Sequence, residues 1–175
     1  MSVFGLDIQF AIGDDTDGDS VRRFTTAMDR FGVNLEDFGQ FVFPKVMKLF
    51  EEEISGQFES RGARGVAGGW PELSPGYAQW KAVHFPGMPL LEATGSMRAA
   101  LTESGSTHAR REINPSDMTF GTVGVEYFSF HQMGTPFMPA RAPVDFGNEF
   151  EGGLNKALQL GVVEASQAAG LEVEP

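Results

Sequence analysis

Between Phe38 and Phe50 the chain carries one apolar stripe at helical spacing: Phe38, Phe41, Val42, Val46, Leu49 and Phe50. A proline, Pro44, stands inside that stripe. Repeats of three and four residues put these side chains on one helix face, which must bury itself against another element. Proline has no backbone N–H to donate and its ring crowds the preceding turn, so the pattern predicts a long helix with a kink. Asn34 is placed to cap it. Asp37 near its start and Lys45 and Lys48 further on agree with the helix dipole, whereas Glu51, Glu52 and Glu53 oppose it. That acidic trio reads as a solvated face.

Around this helix the elements are shorter. Val3 to Ile12 alternates apolar and polar residues, the period of a strand with one buried face. The acidic turn Asp14 to Asp19 ends it. Asp15, Asp17 and Asp19 have a faint calcium-loop spacing. Ser20 occupies the loop-glycine position and Thr26 the closing-glutamate position, so the turn reads as solvated chain leading to a helix cap. Val21, Phe24, Met28 and Phe31 form a short helical stripe that Gly32 is expected to stop. Residues 56–74 include the glycine-rich run Ser60–Gly69, expected to be a flexible loop with little apolar area of its own. Ser74 and Pro75 open a short helix as cap and first residue. A further helix is expected from Glu92 to Leu101. Thr107–Ile113 and Met118–Val125 read as two strands joined by the turn Asn114–Asp117. Tyr127–Met133 is expected to make one or two helical turns, Gly134–Pro143 irregular chain, Asn148–Ala169 a closing helix, and Leu171–Pro175 a frayed end. The sum is an α+β fold: a small, mostly antiparallel sheet packed by a long kinked helix and a C-terminal helix, with long loops. At 175 residues it is expected to be a single domain.

Charge and composition exclude several function classes. The net charge is 13 − 24 = −11. Residues 61–115 alone lean basic, with six basic against four acidic residues. Binding to a nucleic-acid backbone rests on clustered Lys and Arg, so sequence-specific DNA binding is not expected. The basic-leaning middle can meet the acidic ends of a neighbouring copy. The absence of cysteine removes disulfides, thiolate metal sites and cysteine nucleophiles together. Met1–Asp7 has neither a basic start nor an apolar run, so no signal peptide is expected. No apolar run reaches about 18 residues, and a membrane partner is not expected.

Catalytic signals are weak. His84, His108 and His131 show no metal-binding spacing, and neither a phosphate-binding lysine loop nor a nucleophile elbow is present. Glu92 and Glu103 with His131 form the one acid–base set to weigh, as a hydrolase alternative. Trp70 and Trp80 flank a Pro/Gly segment beside the glycine-rich loop, and large aromatics in such places serve either as local core or as interface anchors.

An ordered series of short motifs runs through the middle and late chain. Trp70-Pro71-Glu72-Leu73-Ser74-Pro75 is followed by Tyr77, Trp80 and Lys81, then by Pro89-Leu90-Leu91-Glu92-Ala93-Thr94-Gly95-Ser96-Met97-Arg98. Later come Tyr127-Phe128-Ser129-Phe130-His131-Gln132-Met133-Gly134 and Met138-Pro139-Ala140-Arg141. This order resembles the tailed-phage virion morphogenesis, or tail completion, family over residues 35 to 165. The chain departs from the family pattern at Met97, Phe128 and Ala142-Pro143, and residues 1–20 lie outside it. The resemblance implies a structural protein of the particle's neck that joins the portal complex to the tail tube. It implies a ring, hexameric where the tail tube is six-fold, with no catalysis and no cofactor. Partners would be its own copies, neighbouring connector and tail-tube proteins, and DNA passing through the lumen without specific binding. Assembly in the host cytoplasm into the virion neck follows, with tail terminator or minor capsid protein as the related alternatives. Arg61, Arg64, Trp70, Trp80, His131 and Arg141 are the expected interface residues, with His131 and Arg141 holding backbone carbonyls or a neighbouring carboxylate.

Overall fold

In the computed structural model, residues 2–3, 6–7 and 19–171 are described. The fold is α+β, mostly helical, with short antiparallel strand pairs. Of the expected strand Val3–Ile12 only Val3, Leu6 and Asp7 are described, and they belong to two short strands; residues 4, 5 and 8–12 lie outside the described residues. Strand β1 (Ser2–Val3) pairs antiparallel with β2 (Leu6–Asp7), in the register Ser2 to Asp7 and Val3 to Leu6. A period of two is shared by one long strand and by two short paired ones, so the alternation did not separate them. Asp14 to Gly18 of the acidic turn lie outside the described residues.

The described chain divides into two compact units. The first comprises residues 1–49, 112–118 and 152–175. Its helix α1 (Asp19–Glu36) runs past Gly32, the expected stop. Asn34, the expected cap of the next helix, lies within α1, three residues beyond Phe31 on the half-buried stripe. Its Nδ2 donates to the Ala165 carbonyl at 2.9 Å. A tertiary acceptor thus replaces the local one that asparagine would take at a cap. The cap of α2 (Phe38–Phe41) is Asp37, whose carboxylate accepts from the Gln40 N–H at 3.0 Å.

The expected kink is a break. Helix α2 ends at Phe41, and α3 (Phe43–Glu59) begins with Pro44 as its second residue, where the missing N–H has no intrahelical partner to lose. Because α3 continues to Glu59, the acidic trio lies mid-helix and does not face the C-terminal dipole. Phe41, Val42, Val46 and Met47 are buried in this unit, as are Ala157, Val162, Val163 and Ala165 of the closing helix α7 (Glu149–Ala168). Gly161 permits close packing: a Cβ there would stand 2.6 Å from Val42 Cγ2 and 2.9 Å from the Phe41 carbonyl. Lys45 bridges to Glu164 beside it. After α7 the chain turns through Gly170 at φ +87°. The N–H groups of Leu171 and Gly170 return to the carbonyls of Ser166 and Gln167, at 3.0 Å each. This double return satisfies the helix end; Leu171, first residue of the expected frayed end, is buried, and residues 172–175 lie outside the described residues.

The second unit comprises residues 50–111 and 119–151. Its core gathers Ile54 and Phe58 of α3, Trp70, Leu90, and Met97 and Leu101 of α5 (Ser96–Thr102). Helix α5 starts four residues later than expected. Residues 92–94 are non-helical, and Gly95, at φ +79°, is the N-cap. Helix α4 (Pro75–His84) opens with Ser74 and Pro75 as expected. The hairpin of β3 (Ala109–Ile113) and β4 (Met118–Thr122), helix α6 (Tyr127–Met133), and the irregular chain after it also match their expected positions. Glu51 is no solvated charge: Arg111 donates to it at 3.0 Å, while the same guanidinium bonds the carbonyls of Ala100 and Gly121 and covers the Phe120 ring at 3.8 Å. Glu53 faces Arg64 at 3.5 Å.

Candidate functional site

Three of the motif pieces, those holding Pro71, His131 and Arg141, meet in the second unit around one buried cation. Arg141 is 3% exposed. Its Nε donates to the Pro71 carbonyl at 2.6 Å, its Nη2 to the Glu72 carbonyl at 2.8 Å, and its backbone N–H to the His131 carbonyl at 2.8 Å. The rigid guanidinium fork matches two carbonyls of an extended Trp-Pro-Glu segment, a geometry lysine cannot copy. Trp70 closes the same joint from the other side. Its Nε1 donates to the Ala142 carbonyl at 2.9 Å, and its ring meets Phe58 edge-on at 5.4 Å. Gln132 grips the next stretch with both amide atoms, donating to the Val144 carbonyl at 2.8 Å and accepting from the Val144 N–H at 3.2 Å. Burial draws the Arg141 pKa below its ordinary value, and Glu72 and then Tyr77 partly offset that pull.

Next to this joint lies a cavity of about 310 Å³. Leu73, Leu91 and Met97 supply apolar wall; Lys81, Glu92 and His131 supply the polar groups. Lys81 is buried and its ammonium donates to the Pro89 carbonyl. Burial lowers its pKa, with Glu92 pulling the other way. The Glu92 carboxylate is held by Arg98 at 3.1 Å, and Arg98 also faces Glu59 at 3.7 Å. The Nδ1 of His131 is buried with no hydrogen-bond partner. Burial first, then the charges of Arg141 and Lys81, push the His131 pKa below that of a free histidine, so the ring is neutral at pH 7.

Among the charged groups of the cavity, Lys81 is engaged by the Pro89 carbonyl and Glu92 by Arg98. Of the hydrolase set, Glu92 and His131 share this cavity, and Glu92 also lines, together with Glu103, Ser106 and His108, a neighbouring polar hollow that His131 does not line. Among the described residues no cluster of His, Asp and Glu fits a metal ion. No family model, no curated protein and no solved structure matches this chain.

The residues expected at an interface therefore separate. Trp70 is core, and Arg141 is buried inside its own unit. His131 lies under the cavity. Arg61, left-handed at φ +53°, is exposed and faces Glu72 at 3.7 Å. Arg64 is turned to Glu53. Trp80 alone keeps an anchor's exposure, at 44%, stacked between Tyr77 and His84 with ring centroids 5.4 and 4.4 Å away. Lys81 and Gln132 are the functional groups that sequence reasoning passed over. Both lie inside the quoted motifs, and their placement there was the signal available. The glycine-rich loop is tied by hydrogen bonds rather than by apolar area. Gln57 accepts from the Gly65 N–H at 3.1 Å, and Asp145 accepts from the Ala67 N–H at 3.0 Å.

Proposed function

We propose that this chain is a ring-forming structural protein of the neck of a tailed-phage-type particle, acting in tail completion between portal complex and tail tube, without catalysis. One observation carries the reading: three of the short motifs that resemble the tail completion family converge on a single joint, with Arg141 and Trp70 pinning the late motif to the early one. Exposed aromatic and sulfur side chains on the same unit, Trp80, Phe130, Met133 and Phe137, give it surfaces suited to partners. The acidic balance of the chain suits a lumen through which DNA moves without adhering.

The test is the copy number of this chain in purified particles, by quantitative mass spectrometry against the portal protein. A small fixed ratio to portal supports a neck ring; a much larger copy number indicates a minor capsid role, and absence from the particle removes the proposal. Because Glu92 and His131 share a cavity, a hydrolase is the second reading. Hydrolytic activity in the wild type that Glu92→Gln and His131→Asn both abolish, with folding retained, would favour it.

A further inference from the structure

Directly after α6 the chain makes a tight reversal that carries an almost wholly bare aromatic ring. Thr135 N–H donates to the Met138 carbonyl at 2.8 Å, and Met138 N–H returns to the Thr135 carbonyl at 3.2 Å. The Thr135 hydroxyl also accepts from the Phe137 N–H at 3.2 Å. Gly134 allows the strap to fold back, since a Cβ there would stand 2.8 Å from the Ala140 nitrogen. Phe137 at the tip is 98% exposed, and Met133 and Phe130 beside it are 75% and 54% exposed. Water contact on a ring held this rigidly is costly unless something covers it.

The cavity described above offers the complementary shape. A cavity of about 150 Å³ lined by aliphatic side chains holds a benzene ring, so about 310 Å³ accommodates a phenyl side chain with room to seat it. Its own Phe137 does not line it. Tyr127 and His131, which do, are one turn apart on α6, whereas Phe130 and Met133 point roughly 110° away around that helix. Plug and socket therefore lie on different faces of one unit, as a head-to-tail contact requires.

We infer that the Pro136–Phe137 tip of one copy inserts into the Leu73/Leu91/Met97 cavity of the next copy, beside the Tyr77–Trp80 stack, and that this repeated contact is a joint of the ring. The inference rests on the ring reading proposed above. Charge agrees: residues 134–139 carry none, and the cavity offers no free one, since Lys81 is taken by Pro89, Glu92 by Arg98, and His131 is neutral. Area makes the contact a small one: with a buried aromatic contributing roughly 150–250 Å² and the tip, its neighbours and the facing stack about half to fully exposed, they cover roughly 500–800 Å² in total, below a standard stable interface. Each joint is weak alone, and closure of the ring holds it.

The absence of cysteine makes a clean experiment possible. Full-length Pro136→Cys and Tyr77→Cys chains, both altered at exposed positions and both keeping Phe137, are prepared separately, then mixed and treated with a short bismaleimide cross-linker. The expected result is a cross-linked dimer only in the mixture, and a ladder of oligomers from the double variant. A dimer from Pro136→Cys alone means that tips meet tips and overturns the joint. Sedimentation velocity on the unlabelled chain separates the remaining outcomes. Self-association without any mixed cross-link overturns the joint and leaves the ring; no self-association at any concentration removes both. A second variant, Phe137→Ser, should weaken self-association at least tenfold while the thermal midpoint stays put. An association constant within twofold of wild type would overturn the inference.

Discussion

Arg141 shows how far a single side chain's role depends on where it is buried. A surface arginine removed from an interface weakens assembly and leaves folding intact, which was the natural expectation for it. Here its loss leaves the Pro71 and Glu72 carbonyls without their donor inside the second unit. Arg141→Ala should therefore destabilise the monomer by about 3 kcal/mol, the scale of losing charge-assisted hydrogen bonds to buried acceptors. Arg141→Lys should recover less than half of that, since a point charge does not span two carbonyls. Urea unfolding of both variants checks the claim, and unaltered midpoints would return Arg141 to the surface. His131 makes a pH prediction. Its folded pKa lies below the free value, so the unfolded chain takes up the proton more readily. Its contribution is fully present above the ordinary histidine pKa of about 6.5 and is lost as pH falls through that range. Compared at pH 7.5 and pH 5, wild type should lose more stability than His131→Gln, which removes this titration and keeps a polar side chain. Equal losses would show that the carboxylates alone set the acid sensitivity.

At the scale of elements, two glycines inside helices should respond to the same substitution with opposite sign. Gly32 lies on the exposed side of α1, and a Cβ there meets nothing within 4 Å. Gly32→Ala should stabilise by about 0.5–1 kcal/mol, the helix-interior cost of glycine. Gly161 in α7 sits against Val42 and the Phe41 carbonyl, so Gly161→Ala should destabilise by about 1–3 kcal/mol through overpacking. Thermal melts of the two variants suffice, and a shared sign would mean that the α7 packing is looser than these distances. The same contrast explains why Gly32 was misleading as a stop. Glycine ends a helix when the next turn has nothing to bury or bond, and here Asn34 finds the Ala165 carbonyl. The start of α5 was misread for a related reason. Glu92 has a helix former's chemistry, but the chain before Gly95 is spent on a left-handed Leu91 at φ +64° and on the Glu92–Arg98 pair.

For the molecule as a whole, charge and assembly pull in opposite directions. A net charge of −11 makes like copies repel at low ionic strength, while the inferred joint is apolar. Raising the salt concentration should therefore strengthen self-association, measured by sedimentation velocity, until screening is complete. Association that weakens with salt would point instead to the pairing of the basic-leaning middle with acidic ends. What the sequence determined by itself was local. Apolar spacing located the helical stripes of α1 and of α2 and α3; Ser74-Pro75 marked the start of α4; Pro44 marked a discontinuity; Asn114–Asp117 marked a turn. These follow from rules that act within a few residues, through dihedral limits and helical or strand periods. The long-range pairings were decided only in three dimensions. Arg141 became a clamp, Trp70 core and Glu51 an ion-pair partner because residues some 60 to 72 positions away were brought to them. No local rule specifies such partners. A buried polar group takes whichever acceptor or charge the packed core places within hydrogen-bond distance, and that choice exists only once the core has formed.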